Sequence, residues 1–124
     1  MCIRDRYNNY ALINLSGLEG LTSISGGHLR IERNGNLLDL SGLQGITSLV
    51  GNVLIEGNDN LLNLSGLEGI TSVFGFVSIE RNDNLIDLSG LEGITSISDY
   101  LLIKDNPILN TCSVLSVCLS LIHI

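Results

Sequence analysis

The sequence predicts a mainly β fold, a parallel β-helix or solenoid of stacked 24-residue coils. The first observation is a repeat: the segment Asn-Leu-Leu-Asn-Leu-Ser-Gly-Leu-Glu-Gly-Ile-Thr-Ser that begins at Asn60 recurs almost unchanged from Asn36 and from Asn84. Apolar residues stand at the same positions of every copy, and they follow two different periods within each copy. A fixed period of this size indicates stacked supersecondary units rather than one central core.

Four coils align along the chain, at 11–35, 36–59, 60–83 and 84–107. The first coil is one residue longer, and we place its extra residue at 25–27, where Gly26 and Gly27 accommodate a bulge without backbone strain. Asn9 and Tyr10 occupy the place of the later Asn-Asp pairs, which predicts an earlier coil.

Each coil contains one segment with an apolar period of two, which is typical of a short strand. Around 53–56 this period places Val53 and Ile55 inward, and Asn52, Leu54 and Glu56 outward. The equivalent inward pairs in the other coils are Leu29/Ile31, Val77/Ile79 and Leu101/Ile103.

The rest of each coil has an apolar residue at every third position, which fits neither an α-helix nor a long strand. In the coil from Asn60 these residues are Leu61, Leu64, Leu67, Ile70 and Val73. The period predicts short extended pieces that turn corners, with each of these side chains pointing to the axis. The glycines at 42, 45, 66, 69, 90 and 93 oppose a helix in this region.

An asparagine follows the predicted strand in every coil. Because neighbouring coils of such a stack lie about 4.8 Å apart, residues at the same position form a column of touching side chains. In a turn, an amide side chain can bond successive backbone groups and tolerates unusual dihedral angles. We therefore predict a structural ladder of Asn34, Asn58, Asn82 and Asn106.

Both ends of the chain look like adapter-derived artefacts. Residues 1–6 can be encoded by ATG TGT ATA AGA GAC AGR and residues 119–124 by CTG TCT CTT ATA CAC ATC, strings that are reverse complements over nearly their whole length. The pair resembles a transposon end used to fragment DNA for sequencing, so we exclude both segments from the fold. The expected organisation is a solenoid of about four coils at 7–107 and a C-terminal cap at 108–118, both within a longer protein.

Charge and hydropathy exclude two classes of partner. Without the terminal segments the chain has four basic and twelve acidic residues, and its net charge is −8 rather than −7. An acidic chain without a basic stripe repels phosphate backbones, so we expect no nucleic acid partner. No apolar run is long enough to span a bilayer, so we expect no membrane insertion of this segment.

Two cysteines remain after the terminal segments are excluded, Cys112 and Cys118, both in the predicted cap. If that segment is helical, their Cα atoms lie about 9 Å apart, and at least one of them needs a partner further along the protein. In a turn they can form a disulfide with each other, and either arrangement suits an oxidising compartment. The alternative is a pair of buried thiols in the core of the cap.

The repeat resembles a known family. The run Leu-Ser-Gly-Leu-Glu-Gly-Ile-Thr-Ser-Val from Leu64, with a strand ending Ile-Glu-x-Asn as at Asn58, is similar to the repeats of receptor L domains and their bacterial surface relatives, which are akin to leucine-rich repeats. The segment 106–118 is similar to a cysteine-bearing closing segment of secreted bacterial proteins. The resemblance implies a right-handed, single-stranded β-helix on a secreted or cell-surface protein that is used for binding. We do not extend it to receptor signalling, because this segment contains no disulfide-rich module and only the first half of the closing segment.

Columns that differ from coil to coil indicate where a partner binds, because identical columns serve the scaffold. Two variable columns lie on the outward strand face, namely His28, Asn52, Phe76 and Tyr100, and Arg30, Leu54, Ser78 and Leu102. Exposed aromatic and apolar side chains are enriched at recognition hot spots, which makes this face the candidate site for a protein or glycan ligand. The alternative is that these are tolerated surface residues, with the two rings covering the sheet locally.

Three further columns have plain structural interpretations. We interpret the acidic columns, Glu32/Glu56/Glu80 with Lys104 and Glu19/Glu68/Glu92 with Gln44, as solvated faces rather than cation sites, since no calcium-loop spacing accompanies them. The threonine column, Thr22/Thr47/Thr71/Thr95, resembles the hydroxyl rows of ice-binding solenoids. It lacks their Thr-x-Thr spacing, so we do not predict ice binding.

The sequence gives little support for catalysis, and we expect no cofactor. His28 is the one histidine outside the terminal segments, and it has no nucleophile and independent base to complete a catalytic set. We therefore predict a non-enzymatic recognition module on an extracellular or cell-surface protein. The alternatives are a passive spacer or adhesin stalk and, less favoured, a fragment of a polysaccharide-degrading β-helix that uses Asp39 and Asp87.

Overall fold

A computed structural model describes residues 6–7 and 14–109 of the chain. In these ranges the regular structure consists entirely of parallel strands. Sheet 1 contains β1 (Arg6–Tyr7), β3 (Leu29–Glu32), β5 (Val53–Glu56), β7 (Val77–Glu80) and β9 (Leu101–Lys104) in that order. Sheet 2 contains β2 (Ser23–Ser25), β4 (Ser48–Val50), β6 (Ser72–Val73) and β8 (Ser96–Ile97).

The pairing of the strands establishes a β-solenoid. In sheet 1, Ile55 is in register with Ile31 on one side and with Ile79 on the other, so each neighbouring strand lies 24 residues away. The same interval relates Ser48, Ser72 and Ser96 in sheet 2. The chain therefore advances by one coil per sequence repeat, and the predicted solenoid is confirmed.

The register also locates the extra residue of the first coil. Ser25 pairs with Val50, an interval of 25 residues, whereas Leu29 pairs with Val53, an interval of 24. The inserted residue therefore lies at 26–28, between β2 and β3, where Gly26 has a φ of 71°. This confirms that the glycine pair accommodates the longer coil.

Seven apolar columns fill the interior. In the coil from Asn60, all five residues of the period-three run are buried, as are both inward residues of β7. Leu101 and Ile103 of β9 are only half-buried, because β9 is the last described strand of its sheet and has a neighbour on one side. The residues of the period-two and the period-three segments therefore both point to the interior, as the sequence predicts.

The asparagine column is a continuous hydrogen-bonded ladder. The Asn34 N–H donates to Asn58 Oδ1, the Asn58 N–H donates to Asn82 Oδ1, and the Asn82 N–H donates to Asn106 Oδ1, each at 3.0 Å. The side-chain amides of the last three donate in turn to the carbonyls of Ile31, Ile55 and Ile79, at 2.9–3.1 Å. The side chains thus join each coil to the preceding one at the turn that follows sheet 1.

One glycine column keeps the coils in close contact at a second turn. Gly66 has a φ of 119°, a conformation that L side chains rarely adopt. A Cβ atom added there would collide with the backbone carbonyl of Leu40 in the preceding coil. Gly42 and Gly90 have the same conformation and the same close approach, so the stacking requires glycine at these three positions.

Several expectations fall at the ends of the chain. Arg6, which we excluded from the fold with residues 1–5, and Tyr7 pair through their backbone with Ile31 and Glu32 of β3, which adds a strand before the first complete coil. Asn9 and Tyr10, both cysteines of the expected disulfide, and residues 110–118 of the expected cap lie outside the described residues. Among the described residues, no helix is long and apolar enough to cross a membrane.

Candidate recognition face

The first variable column lies at the corner where the chain enters sheet 1, and half of it is engaged in joining the coils. His28 Nδ1 accepts the backbone N–H of Asn52 at 3.1 Å, and Asn52 Oδ1 accepts the backbone N–H of Phe76 at 3.0 Å. The two side chains differ, but each supplies a hydrogen-bond acceptor to the equivalent backbone N–H of the following coil. Their role is structural, and their variation does not by itself indicate a ligand.

Phe76 and Tyr100 complete the same column with an aromatic pair. Their ring centroids are 4.9 Å apart and their planes differ by 4°, so the rings stack between neighbouring coils. One face of each ring is covered by the other. Phe76 is half-buried in this arrangement, whereas Tyr100 stays exposed.

The second variable column is less exposed than the sequence indicates. Ser78 is buried, with 7% of its surface exposed, and its Oγ donates to Glu80 Oε1 at 2.6 Å. Arg30 donates from Nε to Glu32 Oε1 at 2.8 Å and is half-buried. Leu54 is half-buried as well, whereas Leu102 is exposed because it lies on the last described strand. The four predicted residues therefore share a face, but only Leu102 offers much apolar surface.

An aromatic residue outside both predicted columns contributes more surface than any of them. Phe74 is 60% exposed and follows β6 directly, two positions before the stacked ring of Phe76. Tyr100 is 53% exposed on the next coil. We call the group of Phe74, Phe76, Asp99 and Tyr100 the aromatic corner. Phe74 was missed because its column holds Ser25, Val50 and Ser98 in the other coils, so no periodic pattern marks it.

A column of aliphatic residues is also exposed, and it was not predicted. Leu38, Leu62 and Ile86 are 42–49% exposed, and their backbones are joined by hydrogen bonds between successive coils, from the Leu62 N–H to the Leu38 carbonyl and from the Ile86 N–H to the Leu62 carbonyl. Each follows a buried leucine of the period-three run, so the adjacent apolar pair in the sequence was the available signal.

The two acidic columns use their oxygens within the scaffold. Glu68 Oε2 accepts the Gly66 N–H at 2.7 Å, and Gln44 Oε1 accepts the Gly42 N–H at 2.6 Å, so the acceptor oxygen rather than the charge is what the turn needs. In the other acidic column, Glu56 accepts a hydrogen bond from Arg81 at 2.6 Å. Among the described residues, no group of histidine, cysteine and carboxylate side chains is arranged to hold a metal ion.

The remaining candidates occupy turns and corners. Asp39 Oδ1 accepts the Ser41 N–H at 2.9 Å, and Asp87 Oδ1 accepts the Ser89 N–H at 3.0 Å, each within its own turn and two coils apart. The threonine column is exposed throughout, and Thr95 Oγ1 donates to the Thr71 carbonyl at 3.2 Å.

Comparisons with models of known protein families, with curated proteins and with solved structures find no match for this chain.

Proposed function

We propose that this solenoid is a non-enzymatic recognition module that binds a protein or glycan through the outward face of sheet 1 and the aromatic corner beside it. The observation that carries the proposal is the exposure of Phe74 and Tyr100 on a backbone fixed by hydrogen bonds between coils. Large aromatic side chains held on a rigid frame provide contact area at a low cost in conformational entropy, which is why they dominate binding hot spots.

The resemblance to receptor L-domain repeats, which are related to leucine-rich repeats, supports the same proposal. It favours a secreted or cell-surface protein in an adhesion or capture role, and the cysteine-bearing end favours a bacterial source. The 24-residue interval and the short parallel strands are compatible with such a repeat.

The positions of the acidic residues support a binding role over catalysis. Asp39 and Asp87 each accept a backbone N–H in their own turn, and Asn63 occupies the same position in the coil between them. Catalytic carboxylates of glycoside hydrolysis face each other across a substrate, about 5–10 Å apart. Because Asn63 makes the same turn contact without a charge, a scaffold role fits Asp39 and Asp87 better.

The test compares ligand capture by the wild type and by the double variant Phe76→Ala/Tyr100→Ala, on a glycan array and against a panel of surface proteins. The control is Leu38→Ala/Leu62→Ala, which truncates two exposed apolar side chains in a different column. We expect the corner variant to lose the ligand and the control to retain it, with both variants folded by circular dichroism.

A passive spacer or adhesin stalk is the competing function. If the module is only a spacer, neither the glycan array nor the protein panel should yield a ligand that the Phe76→Ala/Tyr100→Ala variant loses and the control variant keeps. Cleavage of a polysaccharide that depends on Asp39 or Asp87 would instead establish an enzyme and end the recognition proposal.

A further inference from the structure

We propose that the aromatic corner binds a cationic side chain, an arginine or lysine of a protein partner, through the Asp99 carboxylate and the exposed rings of Phe74 and Tyr100. This inference rests on the proposed function, because it names the contact point and the partner class of the same recognition face.

Backbone hydrogen bonds bring the three residues to neighbouring positions on adjacent coils. The Ser98 N–H donates to the Val73 carbonyl at 3.0 Å, and the Asp99 N–H donates to the Gly75 carbonyl at 3.1 Å. Phe74 therefore lies between two backbone groups that are bonded to the next coil, about 4.8 Å away. Asp99 and Tyr100 are consecutive on that coil, so the three residues lie on adjacent backbone segments of the same corner.

The carboxylate at this corner occurs in one coil only. The column of Asp99 contains Gly27, Gly51 and Gly75 in the preceding coils. The one carboxylate of that column therefore lies on the coil that also carries Tyr100, beside the coil that carries Phe74 and Phe76. This corner therefore differs from the rest of the face, because the most exposed aromatic side chains lie there together with a carboxylate that the other coils lack.

Asp99 is exposed and is not used by the scaffold. The ion pairs among the described residues join Arg30 to Glu32, Arg81 to Glu56, and Lys104 to Asp105, and none of them involves Asp99. Its side chain accepts no hydrogen bond from the described part of the chain, unlike Asp39 and Asp87 in their turns. The charge is thus available to a partner.

An aromatic ring next to a carboxylate has a specific chemical preference. An ammonium or guanidinium group is attracted to the face of a ring, and a carboxylate adds a charge-assisted hydrogen bond. A purely apolar partner would leave Asp99 desolvated without compensation, and an anionic partner would be repelled. A neutral sugar can stack on a ring and donate a hydroxyl to the carboxylate, but it gains no attraction between opposite charges. A cation is therefore the ligand that gains most from the two parts of the corner together.

The charge of the whole chain favours the same partner. The net charge is −7, and three of the four basic side chains between residues 14 and 109, those at 30, 81 and 104, lie beside a carboxylate. A negative field of this kind attracts positively charged protein surfaces and raises their association rate.

The test is an NMR titration of the 15N-labelled chain with the peptide acetyl-Gly-Leu-Arg-Leu-Gly-amide and with its counterpart in which citrulline, which is neutral and nearly isosteric, replaces arginine. We expect saturable shifts at the amides of Phe74, Asp99 and Tyr100 with the arginine peptide, and binding about 3- to 10-fold weaker with the citrulline peptide.

The variant Asp99→Asn separates the corner from general electrostatic attraction. Its control is Asp83→Asn, which removes an equal charge from an exposed position in the turn after β7. We expect Asp99→Asn to weaken arginine binding about 3- to 10-fold and Asp83→Asn to weaken it less than about twofold. Equal effects of the two variants, equal binding of both peptides, or no saturable shift would overturn the inference.

Failure of this inference is distinguishable from failure of the proposed function. If the screens yield a ligand that the Phe76→Ala/Tyr100→Ala variant loses, but the arginine peptide shows no dependence on Asp99, the function stands and the cationic partner is wrong. If Asp99-dependent arginine binding occurs and no surface protein or glycan is captured, the chemistry of the corner stands and the recognition function fails.

Discussion

The backbone N–H of Asn58 donates to Oδ1 of Asn82 at 3.0 Å, and the two residues are 24 positions apart in the chain. The side-chain amide of Asn82 then donates to the carbonyl of Ile55 at 3.1 Å. Asn82 thus satisfies two buried backbone groups of the preceding coil with one side chain. Because each coil depends on its neighbour in this way, removal of one side chain of the ladder should lower the free energy of unfolding measurably.

Asn58→Ala should lower the free energy of unfolding by about 1–3 kcal/mol, because it leaves the Asn34 N–H and the Ile31 carbonyl buried without these partners. Urea denaturation followed by circular dichroism measures the change. Asn60→Ala, an exposed asparagine two residues away, is the control and should change stability by less than about 0.5 kcal/mol. Equal stability of Asn58→Ala and the wild type would contradict the ladder.

Alanine substitutions at three glycines should separate backbone conformation from close packing. Gly66→Ala should cost about 3 kcal/mol, since it combines a positive φ with a collision against the Leu40 carbonyl. Gly17→Ala, with a φ of 102° but open space around the added atom, should cost about 1–2 kcal/mol. Gly20→Ala, with neither constraint, should be close to neutral. A different order in thermal denaturation would show that the coils are not packed as described.

The acceptor role of the Glu68 column makes a prediction about charge. Glu68→Gln should change the unfolding free energy by less than about 0.5 kcal/mol, because Gln44 makes the equivalent contact with Gly42. Glu68→Ala should cost about 0.5–1.5 kcal/mol, since the Gly66 N–H loses its acceptor. If the glutamine variant is as unstable as the alanine variant, the charge rather than the oxygen is what matters.

Arg33 offers a stabilising substitution. Its φ is 55°, and the equivalent residue of the next coil is Gly57, with a φ of 69°. Arg33→Gly should therefore raise the unfolding free energy by about 0.5–1 kcal/mol, because glycine adopts this conformation without steric cost. Arg30→Gly in β3 is the matched control and should be destabilising. A loss of stability in Arg33→Gly would argue against the left-handed turn at this position.

The scaffold was predictable from the sequence because its determinants recur. Val53 and Ile55 alternate as a strand requires, Leu64 and Leu67 recur every third residue, and Asn58 stands at a fixed distance after the strand. All five are buried. In a solenoid, a position that repeats in sequence meets its equivalents in space, so periodicity alone determines which side chains touch.

The recognition face was less predictable, because different residues can perform one task. His28 and Asn52 differ, and variation was interpreted as a sign of binding, yet both supply an acceptor to the backbone of the following coil. Phe74 has no equivalent in the other coils and therefore had no period to reveal it. Its exposure depends on a corner between two sheets, which only the folded backbone defines.

The most direct test of the account is a set of methyl–methyl NOEs measured on the chain with 13C-labelled leucine methyl groups. Stacked coils predict strong NOEs from Leu40 to Leu64 and from Leu64 to Leu88, and none from Leu40 to Leu88, because the last pair is separated by two coils at about 4.8 Å each. All three leucines are buried, so their methyl groups should be well ordered. Absence of the two neighbouring NOEs, or an NOE between Leu40 and Leu88, would contradict the stacking on which every other conclusion depends.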